Sequence, residues 1–236
     1  MILTRAQLVK NIILEMIKTN KICGNKLPTE DELAKLLQVS LATLREALLE
    51  LNKEGIISKR HGLGNFIHKS TLETKMRIDR FSDFVDLLKD GGHSVTSTYS
   101  VLRLEKPDAA VAKDLQISID SKIAVYDRTF YANGRAAIHA QNRISYCYFV
   151  RERSEIESQF DLNSFIEEYC QQKLTHGIQE ISPMVAGKFE ECLFGIMSGS
   201  AMISWKETFY TIEDKPICLG TVKFNPDIVK MKMLWK

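Results

Sequence analysis

The sequence predicts an α+β chain in two parts, on three observations. Between Leu27 and Ile67 the order is helix, turn, helix and a glycine-punctuated ribbon. Later come two pairs of strand-like segments joined by turn residues, Asn133-Gly134 and Glu213-Asp214-Lys215. Helical stretches lie between those hairpins rather than after every strand. Consecutive hairpins with interspersed helices favour a mostly antiparallel sheet with flanking helices.

The first predicted helix spans about 4–20. Thr4 and Gln7 have capping-box spacing, and Val9, Ile12, Ile13, Met16 and Ile17 form an apolar stripe at helical period. A second helix starts at Thr29, where Thr29 and Glu32 again have the spacing of a cap and its N3 partner. Glu30 and Asp31 suit the positive end of that helix, so capping explains these carboxylates better than a metal or acid–base site. Leu33, Leu36 and Leu37 are expected to face the core. Ser40 caps a third helix, along which Leu41, Leu44, Leu48 and Leu51 share one face, leaving Thr43 and Arg45 off the stripe. Gly55 is placed to end it in a left-handed conformation. Short strands at 56–60 and 65–68 then flank His61-Gly62-Leu63-Gly64. This order describes a winged helix-turn-helix.

Residues 1–69 therefore form one expected domain, 70–79 a linker without strong periodicity, and 80–236 a second domain. In the second, the pattern predicts a helix over FSDFVDLLKDGG, a strand at 95–104, a helix at 107–115 and a hairpin of 123–131 with 135–146. Asn-Gly is the strongest short hairpin signal. Helices at 163–173 and 186–195 and a hairpin of 201–211 with 216–224 complete it.

Residues 1–70 carry 11 Lys and Arg against 7 Asp and Glu, whereas the remainder carries 21 against 23. A basic first module on a near-neutral body fits a polyanionic partner for the first module only. The five cysteines (Cys23, Cys147, Cys170, Cys192, Cys218) are widely spaced and contain no CxxC pair, which predicts reduced, mostly buried thiols in a cytoplasmic protein. The amino terminus lacks a basic-then-apolar leader pattern, and no apolar run reaches the ~20 residues of a membrane span, so no membrane partner is expected.

An α-helix fits the major groove of B-DNA, with polar side chains near its start meeting base edges. Ser40, Thr43 and Arg45 are placed for that, with Thr29 at the preceding helix start. Lys59, Arg60 and His61 lie on the wing, where Gly62 and Gly64 let the backbone come close to phosphates. Over residues 3–68, LPTEDELA, VSLATLREALLELNKEG and KRHGLGNFI resemble the DNA-binding domain of GntR-family bacterial transcription regulators. Two positions depart from the family pattern: Asp31 and Leu41 stand where arginines are common, which predicts an altered operator preference.

The second domain is strand-rich, and His93, His139 and His176 have no metal-ligand spacing, so neither metal nor cofactor is expected. Through FSDFVDLLKDGG, VYDRTFYANGRAAI, SFIEEY and WKETFYTIEDKPICLGTVKFNPD it resembles the UTRA domain, whose fold is like that of chorismate lyase. The resemblance implies a small anionic effector such as a sugar phosphate, with Arg128 and Ser164 as contacts. Tyr126 and Phe130 share the strand face of Arg128, and Tyr210 is a further expected wall. Phe130 and Ala140 replace a second arginine and a glutamate of the sugar-phosphate members. His139, Gln141 and Arg143 alternate along one face, which could meet solvent or a pocket, solvent being the first expectation.

The expected function is a homodimeric repressor that binds double-stranded operator DNA and is modulated by a small-molecule effector. The rival readings are a chorismate-lyase-like enzyme and a winged helix used only for protein docking. No Ser/His/Asp set, metal cluster or glycine-rich phosphate loop favours the enzyme.

Overall fold

The capping boxes form where their spacing places them. In the computed structural model, which describes residues 3–22, 24–80, 83–151 and 161–235, helix α1 (Arg5–Lys18) starts at Thr4, whose side chain accepts from Gln7 N while Gln7 reaches back. Helix α2 (Glu30–Leu37) starts at Thr29 in the same reciprocal arrangement with Glu32. Ser40 caps α3 (Leu41–Lys53), and Gly55 follows it at φ +70°. Strands β1 (Ile57–Arg60) and β2 (Gly64–Ile67) form the wing, with Arg60 opposite Gly64. Residues 25–27 add a third ribbon segment through Leu27 N to Asn65 O (2.9 Å) and Ile67 N to Asn25 O (2.6 Å).

The core of this unit gathers Val9, Ile13, Ile17, Leu33, Leu44, Leu48, Leu51, Ile56 and Ile67. Three expected core residues lie outside it: Ile12, Leu36 and Leu41 are exposed by 48%, 61% and 37%. Each sits at the margin of its stripe, beyond the width the neighbouring helices cover. The stretch expected to be a linker contains most of α4 (Lys69–Glu73) and the start of a 3₁₀ turn, Ile78–Arg80. The chain divides into two compact units, 1–82 with 231–236, and 83–230. Lys232 belongs to the first, where its N–H donates to Met76 O (3.0 Å) and its carbonyl accepts from Ile78 N (2.9 Å).

In the second unit, α5 (Phe84–Asp90) precedes β3 (Val95–Tyr99) and β4 (Arg103–Glu105). These were expected as one strand. The break lies at Ser100, whose hydroxyl accepts from Asp127 N (2.8 Å), and Val101 loops out, 74% exposed. Then come α6 (Ala109–Asp114), β5 (Ile123–Ala132), β6 (Arg135–Ser145), α7 (Leu162–Cys170), β7 (His176–Val185), α8 (Lys188–Phe194), β8 (Ala201–Tyr210) and β9 (Pro216–Phe224). Asn133 and Gly134 join β5 to β6 with φ of +51° and +80°, the geometry a two-residue hairpin turn requires.

The sheet order is β3-β5-β6-β9-β8-β7, with β4 also on β5, and the pairings are antiparallel. Helices α5 and α7 cover one face: Phe84 packs on Phe130, Trp205 and Phe224, and Phe165 on Tyr126. Helices α6 and α8 cover the other, α6 over Ile123, Val125 and Leu219, and α8 near Ala136 and Met202. Of the cysteines expected to be mostly buried, Cys170 and Cys218 are buried but Cys147 and Cys192 are exposed; Cys23 lies outside the described residues. No helix among the described residues is long and apolar enough to cross a membrane.

Candidate DNA interface and effector site

Glu30 joins three elements of the first unit on one exposed surface. From the first turn of α2 it accepts from Arg45 Nε on α3 (2.7 Å) and from Lys59 Nζ on β1 (2.8 Å). Those hydrogen bonds, Lys59 first and Arg45 next, hold its carboxyl below the usual range. The Arg45 side chain stays 63% exposed. Its pairing uses Nε, so the terminal amino groups project from the recognition helix without a hydrogen bond among the described residues. Asp31 adds negative charge close enough to raise the Arg45 pKa, behind the larger effect of Glu30.

Ser40 and Thr43 are occupied with one another: Thr43 N donates to Ser40 Oγ (3.2 Å), and the two hydroxyls lie 2.9 Å apart. Between the start of α2 and the wing is a notch of about 310 Å³ lined by Lys26, Thr29, Glu30, Lys59, Arg60, His61, Gly62 and Gly64, among others. Gly62 and Gly64 have φ of +70° and +97°, a region other residues adopt only with strain. The nine residues expected at the DNA surface thus lie at this notch or along the start of α3, where Thr43 is partly covered beside Ser40. Lys26 is an addition: it sits on the third ribbon segment, outside the helix and wing motifs.

In the second unit, Arg128 lies between two rings, its guanidinium carbon 4.3 Å from the Phe130 centroid and 4.9 Å from that of Tyr99. Its Nη2 reaches Ser97 Oγ at 3.5 Å, and its buried Nε has no hydrogen-bond partner among the described residues. Tyr126 points its hydroxyl, also buried and unpartnered among the described residues, to the same sheet face, and burial pushes its pKa well up. Phe130 is 2% exposed and serves as the floor under Arg128 and as part of the aromatic core.

Ser164 is not the first capping residue of α7. Asp161 is, accepting from Ser164 N (3.1 Å) and Ser164 Oγ (2.6 Å). Burial opposes ionisation of Asp161, but the Ser164 and Asn163 hydrogen bonds and the charge of Arg128 outweigh it, and its carboxyl stays below the usual range. Tyr210 lies apart from this group, stacked on His176 at 4.8 Å.

Register adds residues the sequence pattern did not single out. Tyr126, Asn142, Gly220, Glu207 and Gln179 form one row across the sheet. A Cβ on Gly220 would stand 3.2 Å from Glu207 Oε2 and 3.5 Å from Asn142 Oδ1, so the glycine makes room for both polar side chains. Burial pushes the Glu207 carboxyl up to about 7, against the hydrogen bond it accepts from Gln179 (2.8 Å).

Models of two families match this chain: the bacterial regulatory proteins of the gntR family over residues 5–67, and the UTRA domain over residues 90–230. The chain belongs to the GntR family of regulators that carry a UTRA domain. Its first unit holds the DNA-binding helix-turn-helix and its second is the effector-binding UTRA domain, as the sequence motifs implied. The HTH-type transcriptional repressor NagR of Bacillus subtilis is 26% identical over 203 residues, covering 84% of this chain and 82% of the relative. The transcriptional regulator YurK of the same organism is 25% identical over 212 residues, 89% of this chain and 86% of that one. A crystal structure of the possible transcriptional regulator YydK, also from Bacillus subtilis, shares the fold with a TM-score of 0.78 at 22% identity, over 99% of this chain and 100% of that one. The homologues of this GntR regulator are transcriptional regulators, not enzymes.

Proposed function

We propose that this regulator is a homodimeric repressor whose grip on a near-palindromic operator is set by a small anionic metabolite bound beside Arg128. Ser40, Thr43 and Arg45 meet base edges in the major groove. Thr29, Lys59, Arg60, His61 and the glycines of the wing meet the sugar–phosphate backbone. Glu30 orients both Arg45 and Lys59 for that contact, which supports the assignment. The relative named a repressor, NagR, supports the sign of regulation.

Strand β7 supports the dimer. It lies at the end of the sheet, ten residues long, with Ile178, Ile181 and Val185 exposed by 58%, 53% and 67%. A long apolar edge left uncovered invites pairing with another chain, and a second copy related by a two-fold axis matches two operator half-sites.

The effector half rests on Arg128. A half-buried arginine whose buried Nε has no partner among the described residues, beside an equally unpartnered tyrosine hydroxyl, is costly unless a ligand completes it. An anionic group takes Arg128, and hydroxyl or amino groups of the same molecule reach Asp161, Ser164 and Tyr126. Phe130 under the guanidinium leaves room for one such anchor rather than two. A thermal-shift screen with sugar phosphates, amino sugars and small acids tests this. A selective compound raises the melting temperature by several degrees, and Arg128→Ala abolishes that shift. A compound that stabilises wild type and Arg128→Ala equally removes Arg128 from the site.

A further inference from the structure

Neighbouring residues on a strand point to opposite faces, so Asp127 faces away from the Arg128 site. On that opposite face the rows Asp127–Gln141–Thr221–Lys206 and Thr129–His139–Lys223–Ser204 run across β5, β6, β9 and β8. Arg143 lies in the next row, between Val125 and Leu219. The floor is therefore polar in the gap between α6, which sits over Ile123 and Val125, and α8, which brings Phe189 onto His139 at 5.1 Å. The result is a cleft of about 390 Å³ lined by Asp127, His139, Gln141, Arg143, Phe189, Thr221 and Lys223. Of the two readings open for the alternation of His139, Gln141 and Arg143, solvent or pocket, the structure gives the second, a concave site.

Among the described residues, Arg143 is the one base there without a direct carboxylate contact. Asp127 shares Arg103 (3.0 Å) with Glu105 (3.0 Å), while Lys223 pairs with Glu190 (2.6 Å) and Lys206 with Asp114 (2.6 Å). Burial lowers the pKa of His139, favouring its neutral form. Arg143 has no carboxylate partner among the described residues; its Nη1 donates to Thr221 Oγ1 (3.0 Å) and its Nη2 to Gln141 Oε1. Those neutral acceptors fix the guanidinium plane without neutralising it, a preorganised setting for a carboxylate or phosphate. Phe189, 50% exposed, adds an apolar wall.

We propose that this cleft is a second small-molecule site, independent of the one at Arg128. Its ligand is a small organic acid with one carboxylate or phosphate on Arg143, a carbon skeleton against Phe189, and hydroxyls within reach of Asp127 and Gln141. The volume falls in the range of small-ligand pockets, and a single guanidinium held only by neutral acceptors suits a monoanionic head.

The test uses the intact chain and a panel of glycerol phosphate and small hydroxy- and dicarboxylic acids, with inorganic phosphate alongside, read by melting temperature. At least one organic acid stabilises wild type and Arg128→Gln with the same apparent affinity, and Arg143→Gln loses about tenfold or more of it. Phe189→Ala, a change at an exposed position, weakens the organic acid but not inorganic phosphate, and it decides the matter if Arg143→Gln misfolds by circular dichroism. Three results overturn the proposal. They are a titration unchanged in Arg143→Gln, a response lost in Arg128→Gln but kept in Arg143→Gln, and an inorganic phosphate response equal to that of every organic acid. Absence of any response across the panel overturns it as well.

Discussion

Arg45→Ala lowers operator affinity roughly ten- to hundredfold at fixed salt while leaving the fold intact. The fold is spared because Arg45 is exposed, alanine is the best helix former, and Glu30 retains its second partner, Lys59. Binding suffers because the two free amino groups of Arg45 are the fork that pairs with guanine O6 and N7 or clamps a phosphate. The two roles separate in a gel shift. If Arg45 reads a base, the variant loses discrimination at one operator position. If it holds a phosphate, affinity falls evenly across sequences and the dependence on log salt becomes shallower by about one charge. Affinity unchanged on every sequence removes Arg45 from the interface and returns it to the role of a surface partner for Glu30.

Glu207→Gln stabilises the effector-binding unit at pH 8 by about 3 kcal/mol and changes little at pH 4. In the unfolded chain this carboxyl ionises near its ordinary value of 4.5; in the fold, burial raises it to about 7. The native state thus holds a proton that the unfolded chain has released across that interval. The stabilisation this provides is complete below the unfolded value, is lost as pH rises through about 7, and leaves a buried carboxylate above it. Glutamine keeps the shape and an acceptor for Gln179 without the charge. Thermal unfolding of both proteins from pH 4 to 8 gives curves that converge in acid and separate in base. Parallel curves would show that Glu207 is already solvated in the native protein.

The first unit was legible because its signals are local. Capping boxes at Thr4 and Thr29 and the left-handed glycines of the wing depend on neighbours within a few residues, and all formed in place. The second unit was legible only where a turn announced itself, as at Asn133-Gly134. Strand β7 gave no periodic signal because it buries no face: His176 to Pro183 meets solvent on both sides, so no apolar alternation is required of it. Helix α7 begins one residue before the expected Asn163 because Asp161 caps it, accepting from the N–H of Ser164. Glu207, Asn142 and Gly220 meet only through strand register across β6, β9 and β8, which no sequence window contains. The face of Arg143 read as solvent for the same reason, since the helix that walls it, α8, arrives some forty residues later.

In the proposed function a small molecule in the second unit governs DNA binding by the first. Fluorescence anisotropy measures that coupling, with a labelled duplex selected by the intact protein from a random-sequence pool and the compound found by melting-temperature screening titrated in. Two protomers are expected per duplex, with a dissociation constant that rises at least about tenfold at saturating compound, because a ligand shifts a population only through unequal affinity for its states. An operator affinity that stays constant while the compound saturates Arg128-dependent stabilisation would contradict it.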